Sequence, residues 1–142
     1  MTLLRMILAF SIVTLLVACS GPPTESDARN ALESKIQRQS NGLIKIAAFQ
    51  KTNGMAREYG GIKAYEFDYV AEIEFTDDCM WGGGGPFGWD GSFEATRGQP
   101  HGALDSFNPK YFGKQAANKG QRQKVSGKFA FEKTERGWRL TN

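Results

Sequence analysis

Between Ala64 and Phe75 the chain alternates with a period of two. Tyr65, Phe67, Tyr69, Ala71, Ile73 and Phe75 take one set of positions, while Glu66, Asp68, Glu72 and Glu74 share the other with Val70. Successive side chains of a strand point to opposite faces, so this is a long antiparallel strand with one face in a core and the other in water. Such a strand cannot stand alone: its apolar face needs a covering layer and its edges need partners.

The rest of the chain supplies both. Val125, Gly127, Phe129 and Phe131 alternate with Ser126, Lys128 and Glu132, and pattern returns at Trp138 and Leu140, with Lys133 to Gly137 as the connecting hairpin. Leu43 to Thr52 is a further strand in which Ile44, Ile46 and Ala48 alternate; Phe49 falls out of phase, as a bulge would make it. Asn53-Gly54 reads as a hairpin turn and Tyr59-Gly60-Gly61-Ile62 as another loop. Upstream, Ser26 is the expected N-cap with Asp27 in the first turn. Ala28, Leu32 and Ile36 recur at fourfold spacing through Gln39, and Asn41-Gly42 ends the helix. The expected class is α+β: one N-terminal amphipathic helix packed on a curved antiparallel sheet of about four strands. From Asp77 to Gln123 regularity fails. Gly82 to Gly85 are consecutive glycines, followed by Pro86, Gly88, Gly91, Gly98, Pro100, Gly102 and Pro109, which predicts a long Gly-rich excursion from the domain.

The N-terminus has a different character. Arg5 precedes an apolar stretch from Met6 to Ala18 broken only by Ser11 and Thr14. As a helix it would cover roughly 20 Å against a hydrocarbon core of about 30 Å, which suits an export signal better than a membrane span. Leu16-Val17-Ala18-Cys19 closes it and resembles the lipobox of bacterial lipoproteins. That resemblance implies that the Cys19 thiol accepts a diacylglycerol, that cleavage falls before Cys19, and that the freed amine is acylated. Ser20 stands where an inner-membrane retention signal would be aspartate, so the implied location is the outer membrane, facing the periplasm. Residues 1–18 are then a removed signal peptide, 19–26 a lipidated tether stiffened by Pro22 and Pro23, and 27–142 a single α+β domain.

The helix-then-sheet order, with the closing segment Phe129 to Leu140 (FAFEKTERGWRL), is similar to the small cystatin-like or nuclear-transport-factor-like lipoproteins of bacteria. In those folds a curved sheet wraps the helix. Their functions range from ligand binding to protein interaction, so the resemblance does not select an activity.

The chain holds two cysteines. With Cys19 lipidated, Cys79 has no partner within the mature chain, and two readings stay open: a buried small hydrophobe, or a thiol that is reactive or pairs between molecules. A formal charge of +3 is too mild to imply nucleic acid. Charge is segregated, however: residues 58–94 hold nine acidic side chains and one basic, and residues 95–142 hold ten basic and three acidic. If the strand beginning at Lys124 lies beside Ala64 to Phe75, Lys124 and Lys128 can pair with the acidic row. The alternative is a charged surface that docks a partner or an anionic polymer.

The loop from Trp81 to Trp89 sets aromatic rings among glycines, without the strand-then-helix context or the terminal lysine of a phosphate-binding loop. Trp81, Phe87 and Trp89 are the candidate contacts for an envelope protein or glycan, since rings bring large apolar area at small entropic cost. The competing reading is that Trp81 and Trp89 fold back to cap the core. His101 is the single histidine, no H-E-x-x-H or G-x-S-x-G motif occurs, and no cofactor or metal site is expected. The sequence therefore points to a non-catalytic binding or assembly role. A periplasmic small-ligand carrier is the alternative, requiring an enclosed apolar pocket lined by Tyr65, Phe67, Tyr69 and Phe129. An envelope hydrolase would need His101 and a carboxylate to converge.

Overall fold

The computed structural model describes residues 21–82, 91–102 and 107–141, so the export segment and Cys19 lie outside the described residues. The helix α1 runs Glu25–Ser40. The strands are β1 (Ile44–Tyr59), β2 (Ile62–Phe75), β3 (Cys79–Trp81), β4 (Ala95–Arg97), β5 (Gln115–Ala117), β6 (Arg122–Thr134) and β7 (Gly137–Thr141). They form a four-stranded sheet in the order β1-β2-β6-β7 and a three-stranded sheet in the order β4-β3-β5, with every pairing antiparallel. The class is α+β.

The helix begins earlier than Ser26. Thr24 is the N-cap: its hydroxyl accepts from the Asp27 N–H at 3.2 Å, and the Asp27 carboxylate accepts from the Thr24 N–H at 2.8 Å. Thr24 has this carboxylate three residues on, whereas Ser26 has Arg29 there, so only Thr24 can close the reciprocal pair. These hydrogen bonds hold the Asp27 carboxyl below its ordinary range. Pro23 and Ala28 on either side of the cap are both buried, the arrangement of a hydrophobic staple. Ala28, Leu32 and Ile36 are fully buried, and Asn41 ends the helix in the left-handed region at φ 51°.

Asn53-Gly54 is not a turn. The first strand continues through it to Tyr59, with register shifts between Ile46 and Ala48 and between Lys51 and Asn53. The reversal falls instead at Gly60 and Gly61, whose φ values of 57° and 83° suit a two-residue hairpin turn. Continuing the strand gives all of β2 a partner on that edge. It also sets Gly54 beneath Tyr65, where a Cβ would collide with the phenol.

From Tyr65 to Phe75 the odd-numbered residues of β2 share one core with Ala28, Leu32 and Ile36 of α1. Phe67 lies between Phe129 and Phe131 with centroids 5.5 Å from each, and Tyr69 stacks on Phe129 at 4.9 Å. Tyr69 is paired across the strands with Gly127, and a Cβ there would come within 2.7 Å of the Tyr69 oxygen, so glycine makes room for the ring. Burial pushes the Tyr69 hydroxyl pKa up to about 12. Tyr69 thus acts in this core as an apolar ring. Full burial of such side chains is worth about 1.5–3 kcal/mol each, so this face is a large contributor to the stability of the domain.

The irregular region contains the second sheet. Each of its strands has three residues. Its central strand is buried throughout: Cys79, Met80 and Trp81 are 0%, 7% and 4% exposed. Trp81 meets Phe75 at 5.1 Å, which joins the small sheet to the far end of the large one.

Candidate functional site

The solvent face of the large sheet carries the acidic row, and the row is neutralised from both sides. Lys45 reaches Glu74 at 2.8 Å, Arg122 reaches Glu74 at 3.0 Å and Glu72 at 3.5 Å, Lys128 reaches Asp68 at 3.0 Å, and Arg57 reaches Glu66 at 3.4 Å. The cross-strand reading of charge segregation therefore describes this face; Lys124 stands opposite Glu72 in register while Arg122 makes the ion pair. Lys45 and Arg122 together hold the Glu74 carboxyl below its ordinary range. A hydrolytic acid would need a shift the other way.

On the inner face, Tyr65, Phe67, Tyr69 and Phe129 pack against one another and their neighbours. Tyr65 meets Trp138 edge-on at 6.4 Å, and Lys51 lies 4.7 Å from its ring centroid, donating to its hydroxyl at 3.1 Å. A depression of about 840 Å³ is bordered by Lys35, Arg38 and Gln39 of α1, by Phe67, Phe129 and Leu140 of the large sheet, and by Glu66, Asp68 and Lys128. Its border thus mixes charged and polar groups with apolar side chains.

Trp81 is not an exposed contact. Its indole is buried on Phe75, as the core-capping reading has it, because Trp81 belongs to the central strand of the small sheet. Phe87 and Trp89 lie outside the described residues. Cys79, beside Trp81, is fully buried; burial first, and the charges of Asp77 and Asp78 next, push its thiol pKa up. A thiol so placed is a packing group and a poor nucleophile. His101 is exposed, and among the described residues no three His, Cys, Asp or Glu side chains are grouped to hold a metal ion.

Among the described residues the most exposed large hydrophobic side chains are Phe107 and Phe112, 80% and 82% exposed. They flank a short 3₁₀ turn, Pro109–Tyr111, which is braced rather than loose. The Asn108 side chain accepts from the Lys110 N–H at 3.0 Å, the Asn108 carbonyl accepts from the Tyr111 N–H at 2.9 Å, and Lys114 donates to Thr96 of β4 at 2.9 Å. Gln115, which follows this turn, pairs with Trp81, where β3 ends and the Gly-rich loop begins. The topology thus brings the start of the Gly-rich segment and the end of the Phe107–Phe112 segment to one end of the small sheet. Glycine and tryptophan mark the first loop in the sequence, whereas the second went unmarked. Its signal was Phe107-Asn108-Pro109-Lys110-Tyr111-Phe112, three aromatics around a turn-forming Asn-Pro, in no alternating pattern.

No protein-family model, curated protein or solved structure matches this chain.

Proposed function

We propose that this chain is a bacterial envelope lipoprotein, held by lipid on Cys19 at the periplasmic face of the outer membrane, and that it works there by binding rather than by catalysis. The observation that carries the proposal is Leu16-Val17-Ala18-Cys19 at the end of the apolar stretch that follows Arg5. Two or three acyl chains, at about 0.8 kcal/mol per buried methylene, hold a protein on a membrane where one chain holds it marginally. Among the described residues no helix is long and apolar enough to cross a membrane.

Binding is assigned to Phe107 and Phe112, whose exposed rings on a braced turn offer apolar area that is already ordered. The partner class is an envelope protein or glycan. Cys19→Ala is expected to abolish labelling by radioactive palmitate and to leave an uncleaved precursor. Unchanged labelling would refute the anchor. For binding, co-sedimentation with cell-wall glycan and gel filtration with purified envelope proteins should show an association that Phe107→Ser with Phe112→Ser removes. Absence of any association in both assays contradicts the binding role.

A further inference from the structure

The route of the chain into α1 determines which end of the domain can meet the membrane. Gly21 is not a point on a free tether: its carbonyl accepts a hydrogen bond from the Trp138 indole N–H, and Pro23 is buried. Trp138 pairs with Lys133, one register position from the β6–β7 turn between Thr134 and Gly137. On the neighbouring strands Ala64 pairs with Glu132, so Ile62, two residues before Ala64, is level with Thr134, two residues beyond Glu132. Both hairpin turns therefore close the sheet at one level, and Gly21 is held beside it. Cys19 is two residues from Gly21, a reach of at most about 7 Å.

This turn end carries exposed apolar side chains. Tyr59 and Ile62 are 57% and 52% exposed, and Met55 on the same hairpin is 45% exposed. Its charges nearly cancel: Arg57 is bound to Glu66, Lys63 stands opposite Glu58, Arg136 follows Glu135, Arg139 reaches Glu132, and Lys133 lies over the Trp138 ring. The Tyr59 hydroxyl donates to Glu66 at 3.2 Å, which holds the ring in place beside the aliphatic Ile62, and an exposed ring beside an aliphatic chain suits the boundary between headgroups and acyl chains. With the charges nearly cancelled, apolar contact outweighs electrostatic attraction to the surface.

On the reading that Cys19 is lipidated, we infer that the β1–β2 turn end, through Tyr59 and Ile62, is seated in the headgroup layer of the bilayer that holds the lipid. The domain then stands on the membrane with β2 rising from it, and the small sheet lies at the far end, roughly 40 Å away at about 3.3 Å per strand residue.

The test uses the full lipidated protein in vesicles of phosphatidylethanolamine and phosphatidylglycerol. Nitroxide labels are placed at Ile62→Cys, Tyr59→Cys or Lys119→Cys. The last lies at the far end, where the Gly120 N–H donates to the Phe75 carbonyl at 2.8 Å. Cys79 is fully buried, so the label goes to the introduced thiol. The expected ratio of oxygen to nickel-chelate accessibility is several-fold higher at positions 59 and 62 than at 119. Equal ratios, in protein whose lipid on Cys19 is verified by mass, overturn the orientation while leaving the anchor intact. Spin–spin broadening at position 62, which would place a second copy of the chain on this end, overturns it too. A mass without lipid removes the anchor and this inference with it.

Discussion

The two sheets of this protein are built by different physics. In the large sheet three of the four strands have thirteen to sixteen residues, and β2 and β6 alternate over most of their length and bury an aromatic face in the core they share with α1. In the small sheet each strand has three residues, too few for alternation to accumulate stabilisation. Polar ties at its margins close it instead: Arg97 pairs with Asp77, the Asp78 side chain accepts from the Lys119 N–H at 2.8 Å, and Gln99 donates to the Ala117 carbonyl at 3.0 Å. A long strand is specified by its own pattern, whereas a short one is specified by what holds its ends. The small sheet should accordingly open first, by local excursions that leave the large sheet folded.

The largest expected effect comes from the aromatic face. Phe67→Ala removes the ring between Phe129 and Phe131 and should cost about 3–5 kcal/mol in urea unfolding, enough to threaten the whole domain. A loss under about 1 kcal/mol would break the contrast between the sheets. Next is Gly127→Ala, which drives a methyl into Tyr69 and should cost about 1–3 kcal/mol; adding Tyr69→Phe removes the nearest atom and should restore part of it.

Thr24→Ala deletes the cap and should cost about 1 kcal/mol, with no change in the shape of the transition. Arg97→Ala should change global stability by well under about 1 kcal/mol, because the pair is exposed. It should nevertheless speed alkylation of Cys79 severalfold without changing amide exchange in β2 and β6. If alkylation and exchange accelerate together, the two sheets open as one unit.

The smallest effect is on the acid side. Asp27 and Glu74 both titrate below their ordinary values in the folded chain. Their contribution is complete above the unfolded carboxylate range of about 4 and disappears as pH falls through the lower folded values. Asp27→Asn should therefore flatten part of the stability loss below about pH 4, read from urea midpoints across that range.

The same contrast decides what was legible in the sequence. The alternation of Ala64 to Phe75, its pairing with the strand from Lys124, the helix through Leu32 and Ile36 and its end at Asn41 were all readable, because each repeats a periodic or capping signal. Asn53-Gly54 misled, since a dipeptide that favours a turn also fits a bulged strand when a facing ring needs the missing Cβ. Trp81 left two readings open: glycines after it suggest exposure, while its burial depends on β4 and β5, which arrive from distant segments. Phe107 and Phe112 carried no pattern at all, and only the braced turn between them distinguishes exposed rings from core ones.

Lipid attachment at Cys19 is tested most directly by the mass of the N-terminal peptide of the protein recovered from membranes of its native cell. The prediction is a peptide beginning at Cys19 and carrying diacylglycerol, with or without an amide-linked third chain. A peptide in which Cys19 is internal and unmodified would contradict it.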